Sequence, residues 1–230
     1  MTNVACIAER SVCALRATRL GDDCAPLTGP TDGAVAVAVA TINVTSDVEE
    51  GTKFEPKDGC GRTVYTAEDP DTIKRKTLSI ELINVDFEFM ELVTDATLIL
   101  GASGGPYEDL VIGIEEPGAT TPHKNGIALE VWTKTAFGTG ACGEDGANPN
   151  WLRHLFPRVF LRPGDRTMEN APANLTLAGT SNSNPQWTDV WGDFPGVEGD
   201  LSGLSPHLRF FDPDGPPDSA CGYLTPGAGS

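Results

Sequence analysis

Residues 34–44 read AVAVAVATINV, in which valine and alanine alternate and Ile42 and Val44 then bracket Asn43. Successive side chains of a β-strand point to opposite faces, so this period of two puts the larger residues on one face and the small ones on the other. Asp32-Gly33, immediately before it, is typical of a turn. We therefore predict a β-strand over residues 34–44 with one apolar face.

The same alternation recurs outward from this stretch. Over residues 75–83, Leu78, Ile80 and Leu82 fall on one face of a predicted strand. Further strands are predicted over residues 3–20, 62–66, 110–114, 127–134, 155–161, 174–179 and 208–211. The polar, glycine-bearing residues 47–61 are predicted to form a long loop. The 26 glycines and 18 prolines suit many short strands joined by turns.

The hydrophobic period changes once, directly after the strand over residues 75–83. Phe87, Met90 and Val93 recur at helical spacing. Asp86 suits an N-cap, and Glu88 falls in the first turn, where the helix dipole favours an acid. We predict one α-helix over about residues 86–94 in an otherwise β-rich chain.

The length of 230 residues suits one domain whose core needs no disulfides. We predict a β domain over residues 1–195 and a Pro/Gly-rich extension over residues 196–230, irregular from Asp212 onward, whose packing on that domain stays open. Residues 1–10 lack a basic segment followed by an apolar run, so we expect no secretory signal. No stretch reaches the roughly 18 consecutive apolar residues of a membrane helix, and we expect no membrane span.

Charge is the most unusual bulk property, with 33 acidic residues against 16 basic ones and a formal net charge of -17. Tight binding to DNA or RNA phosphates needs clustered Lys and Arg, so this composition argues against it. The charge is also segregated, because residues 86–116 hold eight acids and no Lys or Arg. Basic residues gather in two groups, Arg62 with Lys74, Arg75 and Lys76, and Arg153 with Arg158, Arg162 and Arg166. Complementary self-association would use this pattern, and a solvated surface without a partner is the alternative of equal weight.

One motif suggests catalysis. Gly101-Ala102-Ser103-Gly104-Gly105 matches the Gly-x-Ser-x-Gly nucleophile elbow. An elbow needs a helix directly after the serine, whereas Pro106 follows here and strand character returns at residues 110–114. A glycine-rich turn is therefore the favoured interpretation, and we expect no enzyme activity.

Metal-binding spacing is absent from the sequence. His123, His154 and His207 lie far apart, and no histidine is two to five residues from another histidine or a cysteine. The six cysteines contain no Cys-x-x-Cys pair, and we expect free thiols. Four tryptophans with nearby phenylalanines could stack on a sugar, but packing in a core or interface is the commoner use of such residues.

Several segments carry a likeness in their order and spacing: residues 13–20 (CALRATRL), 49–51 (EEG), 60–62 (CGR), 74–75 (KR), 78–93, 128–133 (ALEVWT), 151–159 (WLRHLFPRV) and 177–181 (LAGTS) with Asn184-Pro185 and Trp187. Together they resemble the major tail protein, or tail tube protein, of long-tailed actinobacteriophages. The resemblance covers most of residues 10–191. It does not extend beyond about residue 195.

This resemblance implies a β-sandwich or half-barrel with one flanking helix and long loops. It implies a structural virion protein, made and assembled in the host cytoplasm, whose copies form hexameric rings that stack into a tail tube. The implied partners are further copies of the chain, a tape measure protein, a tail terminator and distal tail proteins. DNA passes through such a tube without being tightly bound, and no cofactor is implied.

Within such a tube, an acidic wall would repel DNA. The candidate lumen-facing acids are Asp47, Glu49 and Glu81. We expect the strands over residues 62–66 and 75–83, with the loop over residues 47–61, to form the lumen hairpin and the contact between rings. The candidate inter-subunit basic residues are Arg62, Lys74, Arg75, Lys76, Arg153, Arg158 and Arg162.

Three alternatives remain open at this point. The first is another virion protein, either a tail terminator, which would form a single ring, or a capsid decoration protein. The second is a hydrolase with Ser103 as its nucleophile. The third is an extracellular sugar-binding β-sandwich, which would require disulfides and a cleaved leader.

Overall fold

The computed structural model describes residues 7–37, 39–83, 86–116, 125–137, 151–164, 174–193, 205–217 and 222–226. Within these residues the chain is mainly β and sandwich-like, with one helix. The strands are β1 (Ile7–Arg19), β2 (Gly33–Ala36), β3 (Val39–Glu49), β4 (Lys53–Phe54), β5 (Ala67–Glu68), β6 (Thr72–Leu82), β7 (Thr97–Leu100), β8 (Val111–Glu115), β9 (Ile127–Phe137), β10 (Trp151–Pro163), β11 (Leu175–Asn182), β12 (Leu208–Asp212) and β13 (Gly222–Tyr223). The helix α1 spans Phe87–Thr94.

Nine strands form one antiparallel sheet in the order β13-β2-β1-β9-β10-β11-β6-β3, with β12 also paired to β10. Two separate two-stranded ribbons, β4–β5 and β7–β8, lie outside this sheet. The sheet curls so that β3, at one end of the order, approaches β1 near the other end. The described chain is therefore an incompletely closed half-barrel.

The stretch that alternates Val and Ala forms two strands, so the prediction of one strand over residues 34–44 was wrong. β2 pairs with β1, with Leu15 opposite Ala36, whereas β3 pairs with β6, with Val44 opposite Leu78. The chain changes partners around Val37, which is exposed. Strands that switch from one sheet edge to another form the corners of curled sheets. The switch between β2 and β3 brings the two ends of the large sheet together.

Apolar side chains inside the curl form the main core. Leu78, Ile80 and Leu82 of β6 are buried there, which confirms the alternation read from the sequence. Helix α1 covers the core with Phe89, Met90, Leu92 and Val93. The predicted N-cap is also confirmed, because Asp86 Oδ1 accepts hydrogen bonds from the backbone N–H groups of Glu88 at 3.0 Å and Phe89 at 3.2 Å.

The opposite face of β1, β9 and β10 is covered by the segment over residues 183–193. Trp187 packs on Leu20, Ala128 and Leu155 in a second, smaller apolar cluster. Asn184 holds the segment in place, since its side-chain amide donates to the carbonyl oxygens of Cys24 at 2.9 Å and Pro157 at 3.1 Å. Both faces of these strands are consequently buried.

The region between β3 and β6 differs from its prediction. β3 continues to Glu49, so the predicted loop begins later than residue 47. The predicted strand over residues 62–66 is not formed, and only Thr63 makes an isolated bridge to Lys57. Asp58 closes a turn instead, because its Oδ1 accepts from the N–H groups of Cys60 and Arg62 while Gly61 takes a φ of 81°. The hairpin partner of β6 is therefore β3.

Two stretches of residues 196–230 belong to the large sheet. β12 pairs with β10 over Leu208–Asp212, and β13 pairs with β2. The backbone N–H of Tyr223 donates to Glu88 Oε2 at 2.9 Å, and the Tyr223 hydroxyl donates to Glu91 Oε2 at 2.9 Å. Two acids of the run over residues 86–116 thus fasten the C-terminal strand to the helix.

Candidate assembly surface

The β3–β6 hairpin extends past the core. Only its half near Leu78, Ile80 and Leu82 is buried, whereas residues 43–46 and 72–75 are exposed. Among the described strands β3 pairs only with β6, so its other long edge carries unpaired backbone groups. Such an edge is a ready template for a strand from another chain.

The outward face of this part of the sheet is rich in hydroxyl groups. Cross-strand register places nine side chains on the face that points away from the core, one of which is charged. They are Thr41, Asn43 and Thr45 of β3, Thr77, Ser79 and Glu81 of β6, and Thr176, Ala178 and Thr180 of β11. These nine side chains offer no cation to a nucleic-acid phosphate, but Arg162 of β10 stands opposite Ala178 and places an exposed guanidinium at the border of the same face.

The three candidate lumen-facing acids have partners within the chain. Glu81 lies on the hydroxyl-rich face and accepts hydrogen bonds from Asn174 Nδ2 at 2.6 Å and Thr41 Oγ1 at 3.2 Å. Asp47 pairs with Arg75 at 2.6 Å. Glu49 pairs with Lys74 at 2.9 Å.

Asp47 and Glu49 are thus matched with two of the candidate inter-subunit basic residues, Arg75 and Lys74. The β3–β6 register brings them together, since Asp47 stands directly opposite Arg75. Lys76 also donates to Ser46 Oγ on the facing strand, at 2.6 Å. These ion pairs are half exposed and contribute little stability, but they neutralise the charge at this end of the hairpin.

Arg153 is not a surface residue, and its assignment to an inter-subunit patch was wrong. Its side chain is 0% exposed. It donates to Glu130 Oε1 through Nε at 2.9 Å and also through Nη2, and to Asp193 Oδ1 at 3.0 Å. Because carboxylates of its own chain enclose this guanidinium, it is not accessible to a neighbouring subunit.

Arg153 belongs to a buried ionic network on the face covered by residues 183–193. Arg16 supplies the second guanidinium, which donates to Glu130 Oε2 at 2.6 Å and to Asp193 Oδ2 at 2.5 Å. It lies between the rings of Trp132, at 5.1 Å, and Trp191, at 4.3 Å. The network is closed by Asp212, whose Oδ2 accepts from Trp132 Nε1 at 2.7 Å.

The charges in this network hold one another ionised. Burial by itself would raise the pKa of the Glu130 carboxyl, but the adjacent Arg16 and Arg153 guanidinium groups outweigh it, so the pKa lies below its ordinary value. The same balance lowers the pKa of Asp193. Burial opposes the charge of Arg16 as well, yet Glu130 and Asp193 raise its pKa above the ordinary value. The sequence did contain a signal for this network. Glu130 stands between Leu129 and Val131 in a predicted strand, and an acid buried in a strand needs a cation beside it.

The remaining candidate basic residues keep more of their surface. Arg62 and Arg162 are exposed, and neither forms an ion pair with another described residue. Arg158 is half buried, stacks on Phe160 at 5.0 Å and donates from Nε to the Asn125 carbonyl oxygen at 3.3 Å. Arg166 lies outside the described residues.

Two histidines that are distant in sequence form a stacked pair. β12 pairs with the first half of β10, which places His154 Nδ1 3.0 Å from His207 Nε2. His207 also stacks on Phe156, at 4.4 Å between ring centroids. His154 Nε2 lies 3.3 Å from Glu9 Oε2. Only the pairing of β10 with β12 creates this cluster, and no spacing in the sequence indicates it.

Burial lowers the pKa of both histidines. Burial, followed by the charges of His154, Arg209 and Lys76, lowers the pKa of His207 to about 3. Burial also lowers the pKa of His154, although Glu9 acts in the opposite direction. His154 borders a cavity of about 190 Å³ between β1, β3, β9 and β10, which is also lined by Val12, Ile42, Val44, Val131 and other residues.

The Gly-x-Ser-x-Gly motif does not form a nucleophile elbow. Gly101–Gly105 lies in the connection between the antiparallel strands β7 and β8, with no helix after Ser103. Ser103 Oγ donates to Glu108 Oε1 at 2.8 Å, and its side chain is exposed. The motif is an ordinary glycine-rich turn.

The tryptophans serve packing within the chain. Trp132 is 0% exposed, Trp187 lies in the second apolar cluster, and Trp191 Nε1 donates to Thr18 Oγ1 at 2.9 Å.

Cys13, Cys24 and Cys60 are free thiols, while Cys6, Cys142, Cys221 and His123 fall outside the described residues. In the part of the chain that the structure describes, no group of three or more His, Cys, Asp or Glu side chains is arranged to hold a metal ion. None of the described helices is long and apolar enough to cross a membrane.

The sequence matches no protein-family model and no curated protein.

Proposed function

We propose that this chain is a structural virion protein, the major tail subunit that assembles into stacked hexameric rings and forms the tail tube of a long-tailed bacteriophage. The proposal starts from the ordered resemblance over residues 10–191. The observation that carries it further is the free edge of β3 beside a hydroxyl-rich sheet face. The edge of β3 would join one copy to the next, and the hydroxyl-rich face would line the tube.

The edge of β3 supports ring formation. β3 spans Val39–Glu49, eleven residues, and its exposed half stands clear of the core. A strand edge of this length that stays open in a monomer promotes association, and a single repeated contact of this type closes a ring when the rotation allows. Pairing β3 with a strand of the next copy would continue the sheet around the ring.

The outward face of β3, β6 and β11 supports a conduit for DNA. A tube must hold DNA without binding it, and each basic contact would be multiplied along the length of the tube. The face is made of hydroxyl and amide groups with Glu81, and the cations at one end are matched by Asp47 and Glu49. Arg162 of β10 borders the face as its one unmatched cation among the described residues. The proposed wall is therefore nearly neutral and hydroxyl-rich, with less acid than the net charge of -17 suggested.

Negative-stain electron microscopy of the purified chain at rising protein concentration tests the proposal. We expect rings with a central hole that stack into tubes. Rings that never stack would favour a tail terminator instead. A chain that stays monomeric at the highest soluble concentration would contradict the proposal.

A further inference from the structure

The β7–β8 ribbon exposes many apolar side chains for its size. One face of it packs on α1, with Leu98 opposite Ile114, and most of its other residues are exposed. The exposed large apolar side chains are Ile99, Leu100, Tyr107, Leu110 and Ile112. An isolated two-stranded ribbon is marginally stable in water, and a concentration of exposed apolar side chains marks a contact surface. The ribbon therefore gains from a further packing partner.

The charge of this ribbon has a single sign. Residues 97–116 contain no Lys, Arg or His, and their four acids are Glu108, Asp109, Glu115 and Glu116. None of these carboxylates forms an ion pair with another described residue. Glu115 lies on the same face as Ile99, because Thr97 stands opposite Glu115 and Ile99 stands opposite Gly113. A partner for the exposed side of the ribbon must therefore combine an apolar centre with cations.

This combination is found on the outward face of β10. Arg158, Phe160 and Arg162 alternate along the second half of the strand, share this face, and form what we call the β10 strip. The Arg158 guanidinium lies 5.0 Å from the centroid of the Phe160 ring. Phe160 stands opposite Thr180, and Arg162 stands opposite Ala178, so methyl groups flank the ring on the facing strand. The strip thus offers an aromatic centre between two guanidinium groups.

The surroundings of the β10 strip leave its positive charge available. Residues 156–164 hold two arginines and no acid, and β11 beside them has no charged residue. The acids that border the strip have partners within the chain, because Asp22 accepts from Asn125 Nδ2 at 2.9 Å and Glu81 accepts from two neighbouring side chains. Arg162 is exposed and forms no ion pair with another described residue. A carboxylate from outside the chain can therefore reach it.

We propose that the exposed side of the β7–β8 ribbon of one copy docks on the β10 strip of a second copy of this chain. The acids of the ribbon match Arg158 and Arg162, while its apolar side chains pack on Phe160. The two surfaces differ, so the contact is head-to-tail and repeats from copy to copy. This inference rests on the proposed function. Within the tube, the contact also withdraws Arg162, which borders the proposed wall, from the phosphates of passing DNA.

Charge reversal tests the contact from both sides. Arg162→Glu should raise the protein concentration needed for assembly, measured by sedimentation and electron microscopy, by at least about tenfold, because like charges then meet. Glu108→Lys/Glu115→Lys should have the same effect for the same reason. All three side chains are exposed, so each variant keeps the fold of the single chain, which circular dichroism verifies. The three substitutions together should restore assembly to within about threefold of the unchanged chain, because opposite charges meet again.

Lys134→Glu is the matched control. It makes the same change of charge as Arg162→Glu, at an exposed side chain of β9 outside both surfaces. This variant should assemble as the unchanged chain does. Equal impairment of the control, normal assembly of Arg162→Glu, or additive losses in the triple variant would each overturn the inference and leave the tube proposal intact.

Photo-cross-linking locates the contact. The unchanged sequence carries p-benzoylphenylalanine at Tyr107, in a mixture of ¹⁴N- and ¹⁵N-labelled chains. We expect mixed-isotope cross-links from position 107 to residues 158–163 of β10 or to β11. Cross-links to another surface, or only within one chain, would overturn the inference. A failure of the unchanged chain to assemble would contradict the tube proposal and this inference together.

Discussion

At the scale of single residues, the most consequential group is the buried network around Glu130. Two guanidinium groups share this carboxylate, and the rings of Trp132 and Trp191 enclose them. A buried ion pair is weak support for stability in comparison with apolar packing, but loss of one partner leaves a buried charge without compensation. The network therefore fixes how residues 183–193 lie on the sheet.

Glu130→Gln should destabilise the fold strongly, because Arg16 and Arg153 would lose the charge that they share. We expect a loss of about 3 kcal/mol or more in the free energy of unfolding, measured by urea denaturation. The exposed pair of Lys53 and Glu68 provides the control, since Glu68→Gln should cost less than about 1 kcal/mol. Equal effects of the two substitutions would contradict this account.

The histidine pair predicts a pH dependence of stability. His207 has a pKa of about 3 in the folded chain, whereas an unfolded histidine has a pKa of about 6.5. Below pH 6.5 or so the unfolded chain binds a proton that the folded chain does not, so stability falls as the pH falls toward the folded value. The charged and titratable groups that act on this ring are His154, Arg209 and Lys76, and Glu9 contacts His154.

His207→Gln should therefore flatten the pH dependence of stability. We expect the urea midpoint of the unchanged chain to fall between about pH 7 and about pH 5, and to fall less in the variant. Measuring both proteins in the same buffers separates this effect from the carboxylates, which are common to both. Parallel curves would show that protonation of His207 is not coupled to folding.

At the scale of elements, β10 and β11 approach so closely at Gly179 that only a residue without a side chain fits there. A Cβ atom added at Gly179 would lie 1.9 Å from the backbone oxygen of Phe160. Backbone atoms cannot move aside without loss of the ladder between Arg158 and Pro163 of β10 and their partners on β11. Gly179 is thus required by the neighbouring strand, although the sequence showed only a glycine near a predicted strand end.

Gly179→Ala should lower the free energy of unfolding by at least about 2 kcal/mol, because the added methyl group forces β10 and β11 apart. Thermal and urea denaturation both measure this loss. Gly59→Ala is the matched control, since nothing lies within 4 Å of a Cβ at that position. The control should change stability by less than about 0.5 kcal/mol.

Most elements could be predicted from the sequence, for a physical reason. Burial on one face imposes a period of two on strands such as β6 and a helical period on α1, and both patterns are visible locally. The strand boundaries of β10 could not be predicted, since it runs over Trp151–Pro163 with buried side chains on both faces and shows no clear alternation. The strand predicted over residues 62–66 was wrong because the Asp58 side chain closes a turn that holds the N–H of Arg62, and this capping outweighed the strand propensity of those residues.

At the scale of the whole molecule, the proposed assembly depends on the open edge of β3. Hydrogen exchange should therefore be faster in the exposed half of β3 than in β9 while the chain is monomeric, because β9 is paired on both sides.

Assembly should slow exchange of β3 amides by at least about tenfold if the edge is paired in the ring. Mass spectrometry of peptides from monomer and tube measures the change, with Ile127–Phe137 of β9 as the internal reference. Tubes in which β3 exchanges as fast as it does in the monomer would exclude edge pairing and leave only side-chain contacts to join the copies.

The sequence by itself determined the class of the fold, the helix with its Asp86 cap, and the inward face of β6, because each follows from local periodicity and local hydrogen bonding. Only the tertiary structure decided which charges are free. Arg153 became a buried partner of Glu130, and Asp47 became a neutralising partner of Arg75, because strands distant in sequence stand in register. The alternation over residues 34–44 likewise indicated strand structure, but only the closure of the curled sheet divided this stretch between β2 and β3, near opposite ends of the sheet.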